Sequence, residues 1–510
     1  MRTTMKRIVT LTLGAGAALA LGMPALGADA TALTIYSTAT PGAIPPEMYR
    51  PVPGNSGYNP YQYQQVPGYA VIKQQRDLDI AKGVGTVEFT DVAALLDPTT
   101  VKFESLTDPA GTTVLEQDYR FDLLSMDKML ERYIGKEIIF GGQKMKLLSI
   151  AGGGMLLQSP EGPITYQQGY AGVQFPSLAD GLVLEPTLVW KLAADKGGTH
   201  ETRITYQTSG ITWWADYNLV WHEGKDANSG TVDVGAWVSI LNQSGGTYTD
   251  ANLKLVAGDV HRAQPAPRPV TYTTRAGVAM EADMMQKGFE EKSFFEYHLY
   301  TLGRPTTIPD RSTKQLELFE PARGVPADKV LLYDGAASVP WWQWSSAITD
   351  RNFGVSSDAK VNVYLRFDNA EDDGLGIPMP SGRIRVSKMD DADGSLEFIG
   401  EDVIDHTPRE EEILIKLGNA FDVVGERKQT DFKTGKNWIT ETIEVTLRNR
   451  KDVPVDVIVQ EHMYRWANWS IEQKSDDYEK LDARTVHFPV TLKPDEERKV
   501  TYTVHYTWNG

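Results

Sequence analysis

The sequence predicts an all-β protein made of antiparallel β-sandwich domains, with a small inserted β-barrel-like module and few short helices. Residues 211–221 alternate apolar and polar side chains, which is typical of a strand with one face on a core and the other near water. Similar alternation recurs over residues 232–240, 361–367, 443–447 and 500–508. Glycine-containing turns separate many shorter apolar runs, as in sheets built of hairpins.

Composition limits the classes of function. The chain has 510 residues, of which 41% are hydrophobic and 23% charged, as in ordinary globular proteins. Its length favours about three domains. The absence of cysteine excludes disulfides, thiol catalysis and zinc–thiolate sites. The net charge of −17, without a basic stripe, argues against a nucleic-acid partner.

The N-terminus predicts a secretory signal peptide over residues 1–27. Arg2, Lys6 and Arg7 precede an apolar run over residues 8–23, and small residues then provide a cleavage site near Gly27 or Ala30. The alternative is an uncleaved anchor, for which the run is short. No later run is long enough to span a membrane. We therefore expect a secreted bacterial protein, periplasmic or at the cell surface.

Residues 28–186 are predicted to form an N-terminal β domain. Strands are expected at 32–36, 70–76, 85–92, 100–106 and 113–121. Between the first two, residues 38–67 are rich in Pro, Tyr and Gln and lack an apolar period, which predicts an exposed irregular loop. Such a loop can dock on a partner in extended form or simply decorate the surface.

A small module is predicted within this domain, over residues 125–176. Ser125 is the expected N-cap of a short helix that Gly135 ends. Four short runs follow, at 137–140, 144–150, 155–159 and 164–168, and glycine turns separate them. This pattern favours a helix followed by a small barrel.

The rest of the chain is predicted to form three segments. Residues 187–262 contain strands that can join into a central antiparallel meander. Residues 263–292 are rich in proline at their start and predict a linker, with one exposed helix. Residues 293–510 resume long alternating strands and predict an immunoglobulin-like sandwich region.

Acidic residues near histidines are the first candidates for chemistry. They occur at Asp259 and His261, Asp405 and His406, and Glu461 and His462. Such pairs can act in base catalysis or bind a metal. Adjacent strand residues point to opposite faces, however, so structural hydrogen bonding is the favoured interpretation. Residues 390–394 echo a calcium loop, but a hairpin turn is favoured because the bidentate acid is misplaced. No catalytic residue, metal or cofactor is assigned.

Aromatic clusters are the best candidates for binding. Aromatic rings stack on sugars and on extended peptides, although core packing is the commoner role of a tryptophan. The candidate binding residues are Trp341, Trp342, Trp344, Arg465, Trp466, Trp469, Tyr61 and Tyr63.

Four motifs carry a resemblance to a known family. They lie at residues 209–217, 255–260, 296–300 and 418–431. In these the chain resembles the bacterial family called domain of unknown function 4139, which is distantly similar to mucoidy-inhibitor proteins. The resemblance implies a secreted β-rich protein and supplies no catalytic residues. The loop over residues 38–67 departs from the family pattern.

Together these observations predict a non-catalytic protein of the cell envelope or cell surface. We expect it to bind another envelope component, protein or glycan, through sheet edges and aromatic loops. The alternative is a glycan-acting hydrolase of the envelope that uses acids near the tryptophan clusters. A calcium-stabilised surface protein is a third hypothesis. The sequence does not specify the ligand or the oligomeric state.

Overall fold

The computed structural model describes residues 30–36, 44, 48, 66–160, 162–258, 289–294, 297–336, 346–355, 357–390 and 392–508. Nearly all of the regular structure is β-sheet, so the predicted all-β class is confirmed. Among these residues, no helix has the length and apolar character needed to cross a membrane. The predicted signal peptide lies outside them.

The elements follow in chain order. The first group is β1 (Thr31–Tyr36), β2 (Tyr69–Ile80), β3 (Gly83–Phe89), β4 (Leu96–Ser105), β5 (Thr112–Arg120), α1 (Met126–Tyr133), β6 (Glu137–Phe140), β7 (Gln143–Ala151), β8 (Gly154–Gln158), β9 (Ile164–Gln168) and β10 (Val173–Gln174). The second is β11 (Thr187–Ala194), β12 (Gly198–Thr208), β13 (Ile211–Glu223), β14 (Ser229–Asn242), β15 (Tyr248–Ala257), β16 (Phe289–Phe294), β17 (Tyr297–Leu302), β18 (Thr306–Ile308) and β19 (Ser312–Tyr333). The third is β20 (Lys360–Asp368), a 3-10 turn (Glu371–Asp373), β21 (Gly382–Met389), β22 (Leu396–Ile404), β23 (Glu412–Thr434), β24 (Trp438–Asn449), β25 (Val455–His462), β26 (Trp469–Lys474), β27 (Glu479–Lys480), β28 (Thr485–Leu492) and β29 (Glu497–Thr507).

The described strands form four sheets. The first has eight strands in the order β16-β17-β15-β1-β2-β12-β4, with β18 beside β15. A three-stranded sheet has the order β3-β11-β5, and the module has a five-stranded sheet, β10-β6-β7-β8-β9. The largest sheet has thirteen strands, with the main path β22-β21-β13-β14-β19-β20-β23-β24-β29-β26.

The predicted central meander over residues 187–262 is wrong. Its five strands all exist, but β11 lies in the three-stranded sheet, β12 and β15 in the eight-stranded sheet, and β13 and β14 in the thirteen-stranded sheet. The physical reason is that the chain passes from one sheet to another after β11, after β12 and after β14. Alternation determines which face of a strand is buried, whereas it leaves the choice of neighbouring strand open.

The predicted boundary between a linker and a C-terminal region is also wrong in part. Phe289–Phe294 is a strand that pairs with β17, and β17 pairs with β15. These pairings join chain on both sides of residues 263–292 into one sheet. The remaining linker residues, 263–288, lie outside the described residues.

The small module forms as predicted at its helix. The Ser125 side chain accepts a hydrogen bond from the Lys128 N–H, and Met129, Leu130 and Tyr133 are buried. Its five strands form a sheet in which β9 and β10 are the two edge strands. The module is therefore an open sheet and not the predicted small barrel, because no pairing joins β9 to β10 among the described strands.

The first seven strands of the large sheet curve into an incomplete barrel. The two end strands, β22 and β23, come together at Gly400, where an added Cβ would lie only 2.5 Å from the Leu417 carbonyl oxygen. The Lys416 N–H also donates to the Asp402 carboxylate at 2.7 Å. Glycine at position 400 thus permits a backbone approach that any side chain would block.

Two main hydrophobic cores lie along the large sheet. The first core joins the barrel strands to the eight-stranded and three-stranded sheets, and the second fills the sandwich formed by β24, β25, β28 and β29. Strand β19 has 22 residues and β23 has 23, and each contributes side chains to both cores. The barrel and the sandwich, which are the two halves of the large sheet, therefore share continuous backbone.

Strand β13, the alternating strand at residues 211–221, is buried on both faces along its first seven residues. Trp213 lies in the first core, whereas Trp214 on the other face packs with Ile44, Val66 and Leu241. The sequence predicts that this second face is near water. It is covered because residues from the Pro/Tyr-rich loop pack on Trp214; most of that loop lies outside the described residues.

Candidate functional site

An exposed tryptophan on the outer face of the barrel is the feature best suited to binding. In β14 the inward positions are Val232, Val234, Ala236 and Val238, all at most 1% exposed. Because strand side chains alternate, Trp237 must point outward. It is 40% exposed, and it is the only tryptophan in the exposed class among the described residues.

Charged side chains lie in register on both sides of this ring. Trp237 pairs with Asp216 of β13 on one side and with Glu317 of β19 on the other. Arg383 of β21 is the next residue beyond Asp216. Paired residues share a face of the sheet, and strands lie about 4.8 Å apart, so these four side chains form one row across the barrel surface.

Asp216, beside Trp237 in the row, holds the arginine end of the row in place. Its carboxylate accepts a hydrogen bond from the Trp214 Nε1–H at 2.7 Å and from the Ser239 hydroxyl at 3.0 Å. The guanidinium groups of Arg383 and Arg385 lie 3.4 Å and 3.5 Å from its other oxygen. A buried carboxylate with these partners holds the two arginines on the outer face.

A gap in the side-chain layer lies beside Trp237. Gly235 is two residues earlier on the same face, and a Cβ added there would find its nearest neighbour, the Asn218 carbonyl oxygen, at 3.8 Å. Asn218 is exposed, and it pairs with Gly235 and with Arg385. The ring therefore borders a shallow trough edged by amide, carboxylate and guanidinium groups. Such groups can hydrogen-bond the hydroxyls of a sugar that stacks on the ring.

We name this surface the Trp237 face and define it by Trp237, Glu317, Asn218, Arg383 and Arg385. None of its residues is among the binding residues predicted from the sequence. A signal was present, since Trp237 is out of phase with the apolar alternation of its own strand, and a large aromatic on the polar side of a strand is informative.

Most of the predicted binding residues lie elsewhere. Trp341, Trp342, Trp344, Tyr61 and Tyr63 lie outside the described residues. Trp466 and Trp469 are half-buried and pack against the second core. The Trp469 Nε1–H donates to the Ala483 carbonyl oxygen at 2.9 Å, and the Lys480 ammonium lies 4.7 Å from a Trp469 ring centroid.

Arg465 has a structural position that differs from the predicted binding role. It is 1% exposed, and its guanidinium binds both oxygens of Glu441, at 2.8 Å and 3.1 Å. It also donates to the carbonyl oxygens of Ile348, Asp350 and Phe353. Because all of these partners are within the protein, the guanidinium is not available at the surface for a ligand.

The histidines of the described residues all have hydrogen-bond partners in the protein. At Glu461 and His462 the two side chains separate as expected, since Glu461 binds Arg427 in the core while the His462 Nε2 lies 3.0 Å from the Asp334 carboxylate. His406 accepts from the Ser381 N–H. No group of three or more metal-ligating side chains occurs in the described part of the chain.

The pKa values of His462 and His487 are shifted in opposite directions. Burial lowers the pKa of His462, but the hydrogen bond and charge of Asp334 outweigh it, so the pKa is raised above 6.5. Burial dominates at His487 and lowers its pKa. His487 lies 2.9 Å from the Gln460 side-chain oxygen. His462 and His487 therefore belong to a structural polar cluster whose charge changes with pH.

The predicted turn at residues 390–394 joins β21 and β22. The Asp390 N–H donates to the Ser395 carbonyl oxygen, and the Gly394 N–H donates to the Asp390 carbonyl oxygen, each at 2.8 Å. These bonds and the antiparallel pairing of the two strands confirm the hairpin.

Comparison with models of protein families, with curated proteins and with solved structures found no match. The resemblance to domain of unknown function 4139 therefore stays a prediction.

Proposed function

We propose that this chain is a secreted, non-catalytic protein of the bacterial cell envelope that binds an envelope glycan on the Trp237 face. The observation that carries the proposal is the 40% exposure of Trp237 between charged side chains that lie in register on both sides of it. Secretion is proposed from the basic and apolar N-terminal segment.

The chemistry of the face favours a sugar over an apolar peptide. A pyranose offers C–H groups to an aromatic ring and hydroxyls that both donate and accept hydrogen bonds. Asn218 supplies both functions, Glu317 accepts, and Arg385 donates. An extended peptide with apolar side chains would need pockets between neighbouring side chains, whereas the gap at Gly235 is an open trough.

The hydrolase alternative requires two carboxylates that can reach a glycosidic bond. Asp216 and Glu317 flank Trp237 on neighbouring strands. Asp216, however, is 6% exposed and engaged by Trp214, Ser239 and the two arginines. This enclosure suits a carboxylate that positions its neighbours and does not suit an acid that must touch the substrate.

The test is co-sedimentation of the full chain with insoluble envelope polysaccharide, and titration calorimetry with soluble fragments of it. We expect Trp237→Ala to weaken binding about tenfold, the order of one aromatic stacking contact. The matched control is Phe421→Ala, because Phe421 is an aromatic residue that is 94% exposed and lies outside the face.

Equal binding by both variants would contradict the proposed glycan face. Binding to envelope proteins alone would replace the glycan with a protein partner. Cleavage of the polysaccharide, lost in Glu317→Gln, would establish the hydrolase alternative.

A further inference from the structure

A second site lies at one end of the barrel, away from the Trp237 face. A cavity of about 210 Å³ opens there, and its lining comes from six strands: β13, β19, β20, β21, β22 and β23. The strands are irregular at this point. The pairing of β20 with β23 shifts between Val363 and Tyr364, and Gly418 has a φ of +152°, a conformation that side-chain-bearing residues rarely adopt. We call this cavity the barrel mouth.

The irregularity explains why the cavity exists. Strands β20 and β23 pass from the first core to the second, so they must bend where the cores meet. A register shift and a glycine bend a strand and leave part of the space beside it unfilled. Mouths of β-barrels are also among the preferred places for small-molecule sites.

The walls of the barrel mouth are apolar. Trp221 is 5% exposed and Leu365 is 1% exposed. Val363, Ile399 and Leu417 are half-buried and complete the walls. A hydrocarbon group that entered the cavity would exchange water for contact with these side chains.

The rim carries an uncompensated positive charge. Lys388 binds Glu223 at 2.9 Å. Lys329 is half-buried and has no carboxylate oxygen within 4.0 Å among the described residues. Burial, followed by the charges of Lys451 and Lys388, lowers the pKa of Lys329. Of the charged side chains that line the barrel mouth, Lys329 and Lys388 are cationic and Glu223 is anionic, which leaves an excess of one positive charge.

We propose that the barrel mouth binds a small monocarboxylate, whose short hydrocarbon or aromatic group enters the cavity while its carboxylate lies against Lys329. One negative charge balances the excess on the rim. The volume equals about seven water molecules at roughly 30 Å³ each, which fits a compact body of about six to eight carbon atoms. The net charge of −17 disfavours anions of higher charge.

The experiment is titration calorimetry of the full chain at pH 7 with 3-phenylpropionate and with its neutral analogue 3-phenylpropionamide. We expect the acid to bind at least tenfold more tightly than the amide, since it alone forms a charge-assisted contact. Lys329→Met should lower the affinity for the acid to that for the amide and leave the amide unchanged. Equal affinities of the unmodified protein for the two compounds, or binding of neither at millimolar concentration, would overturn the proposal.

Two further variants test which lysine the carboxylate contacts and whether the ligand occupies the cavity. Lys254→Met is the matched control, because Lys254 is also half-buried with a pKa lowered by burial, but it lies on β15 in another sheet. It should leave both affinities unchanged, and a loss equal to that of Lys329→Met would overturn the proposal. Leu417→Trp should fill the cavity and abolish binding of both compounds, while its melting temperature reports whether it folds. Unchanged binding by a folded Leu417→Trp would place the ligand elsewhere.

The carboxylate could belong to a free acid or to the C-terminus of a peptide. A tetrapeptide ending in phenylalanine, with a free or an amidated C-terminus, separates these sources. Binding that is lost on amidation would identify a chain terminus as the ligand. Binding of 3-phenylpropionate alone would identify a free acid.

Discussion

The two halves of the large sheet are held together by different chemistry. The first core is a continuous set of apolar and aromatic side chains, in which residues such as Leu219 and Val234 are at most 1% exposed. The second half also buries two ion pairs, Arg427 with Glu461 and Arg465 with Glu441, in which every side chain is at most 1% exposed. The first core therefore depends on volume and shape, whereas the interior of the second half depends in addition on matched charges.

The two buried pairs lie around Tyr464. The ring centroid of Tyr464 is 5.7 Å from the Arg427 guanidinium and 5.4 Å from that of Arg465. The Tyr464 hydroxyl donates to Glu441 at 2.8 Å. A buried pair of this kind contributes little over a well-packed apolar pair, but loss of one partner leaves a charge without compensation.

The largest expected effect follows from that asymmetry. Glu441→Ala leaves the Arg465 guanidinium buried without its carboxylate, and we expect a loss of about 3–5 kcal/mol in stability. Hydrogen exchange read by mass spectrometry should show reduced protection in peptides from β24 and unchanged protection in those from β13. Glu444→Ala on the same strand is the control, because Glu444 pairs with Lys499 near the surface. Equal losses of stability in Glu441→Ala and Glu444→Ala would contradict the claim that the second half depends on its buried ion pairs.

Shortening a side chain in the first core should lower the stability somewhat less than Glu441→Ala does, and it should leave no unpaired charge. Leu219→Ala removes a side chain that is 1% exposed, and we expect a loss of about 3 kcal/mol from lost burial and the remaining cavity. The loss should be the same at pH 5.5 and pH 8.5. Asn218→Ala, at the exposed neighbour, should change denaturant unfolding by less than about 0.5 kcal/mol. A marked pH dependence of the Leu219→Ala effect would show that the first core is not purely apolar in its energetics.

The smallest effect concerns pH. The pKa of His462 is raised above 6.5 in the folded protein, so its stabilising charge is fully present below pH 6.5 and is lost as the pH rises through the folded value. The contribution should be about 1 kcal/mol or less, as for partly exposed ion pairs. His462→Asn should therefore lower stability at pH 6 and have less effect at pH 8.5. His222→Asn, at a more exposed histidine beside Asp233, serves as the control. A His462→Asn penalty that grows with pH would reverse the assignment.

Local patterns in the sequence predicted the local structure well. The Ser125 cap, the helix after it and the alternation of β14 depend on neighbouring residues, and each is present in the fold. Burial in β13 alternates only from Tyr217 onward, because its first seven residues are buried on both faces. The choice of strand partners depends on contacts far apart in sequence. Strand β13 pairs with β21, for example, so that Asp216 meets Arg383, 167 residues away. No periodicity encodes that choice.

The candidate sites show the same limit. The exposure of Trp237 could be inferred from its phase in β14, because burial of alternate residues is a local property. Its neighbours Glu317 and Arg383 could not, since they come from strands distant in the chain. Arg465 shows the opposite error. An arginine near tryptophans in the sequence predicted a binding surface, but its guanidinium pairs with the Glu441 carboxylate inside the second core.

Strands β19 and β23 give the molecule mechanical continuity. A strand of 22 residues spans up to roughly 70 Å, at about 3.3 Å per residue, and both of these strands enter both cores. Tension applied along them would load the hydrogen bonds to neighbouring strands in shear, many at once, instead of opening a hinge. The two halves therefore respond to a pull as one elastic body.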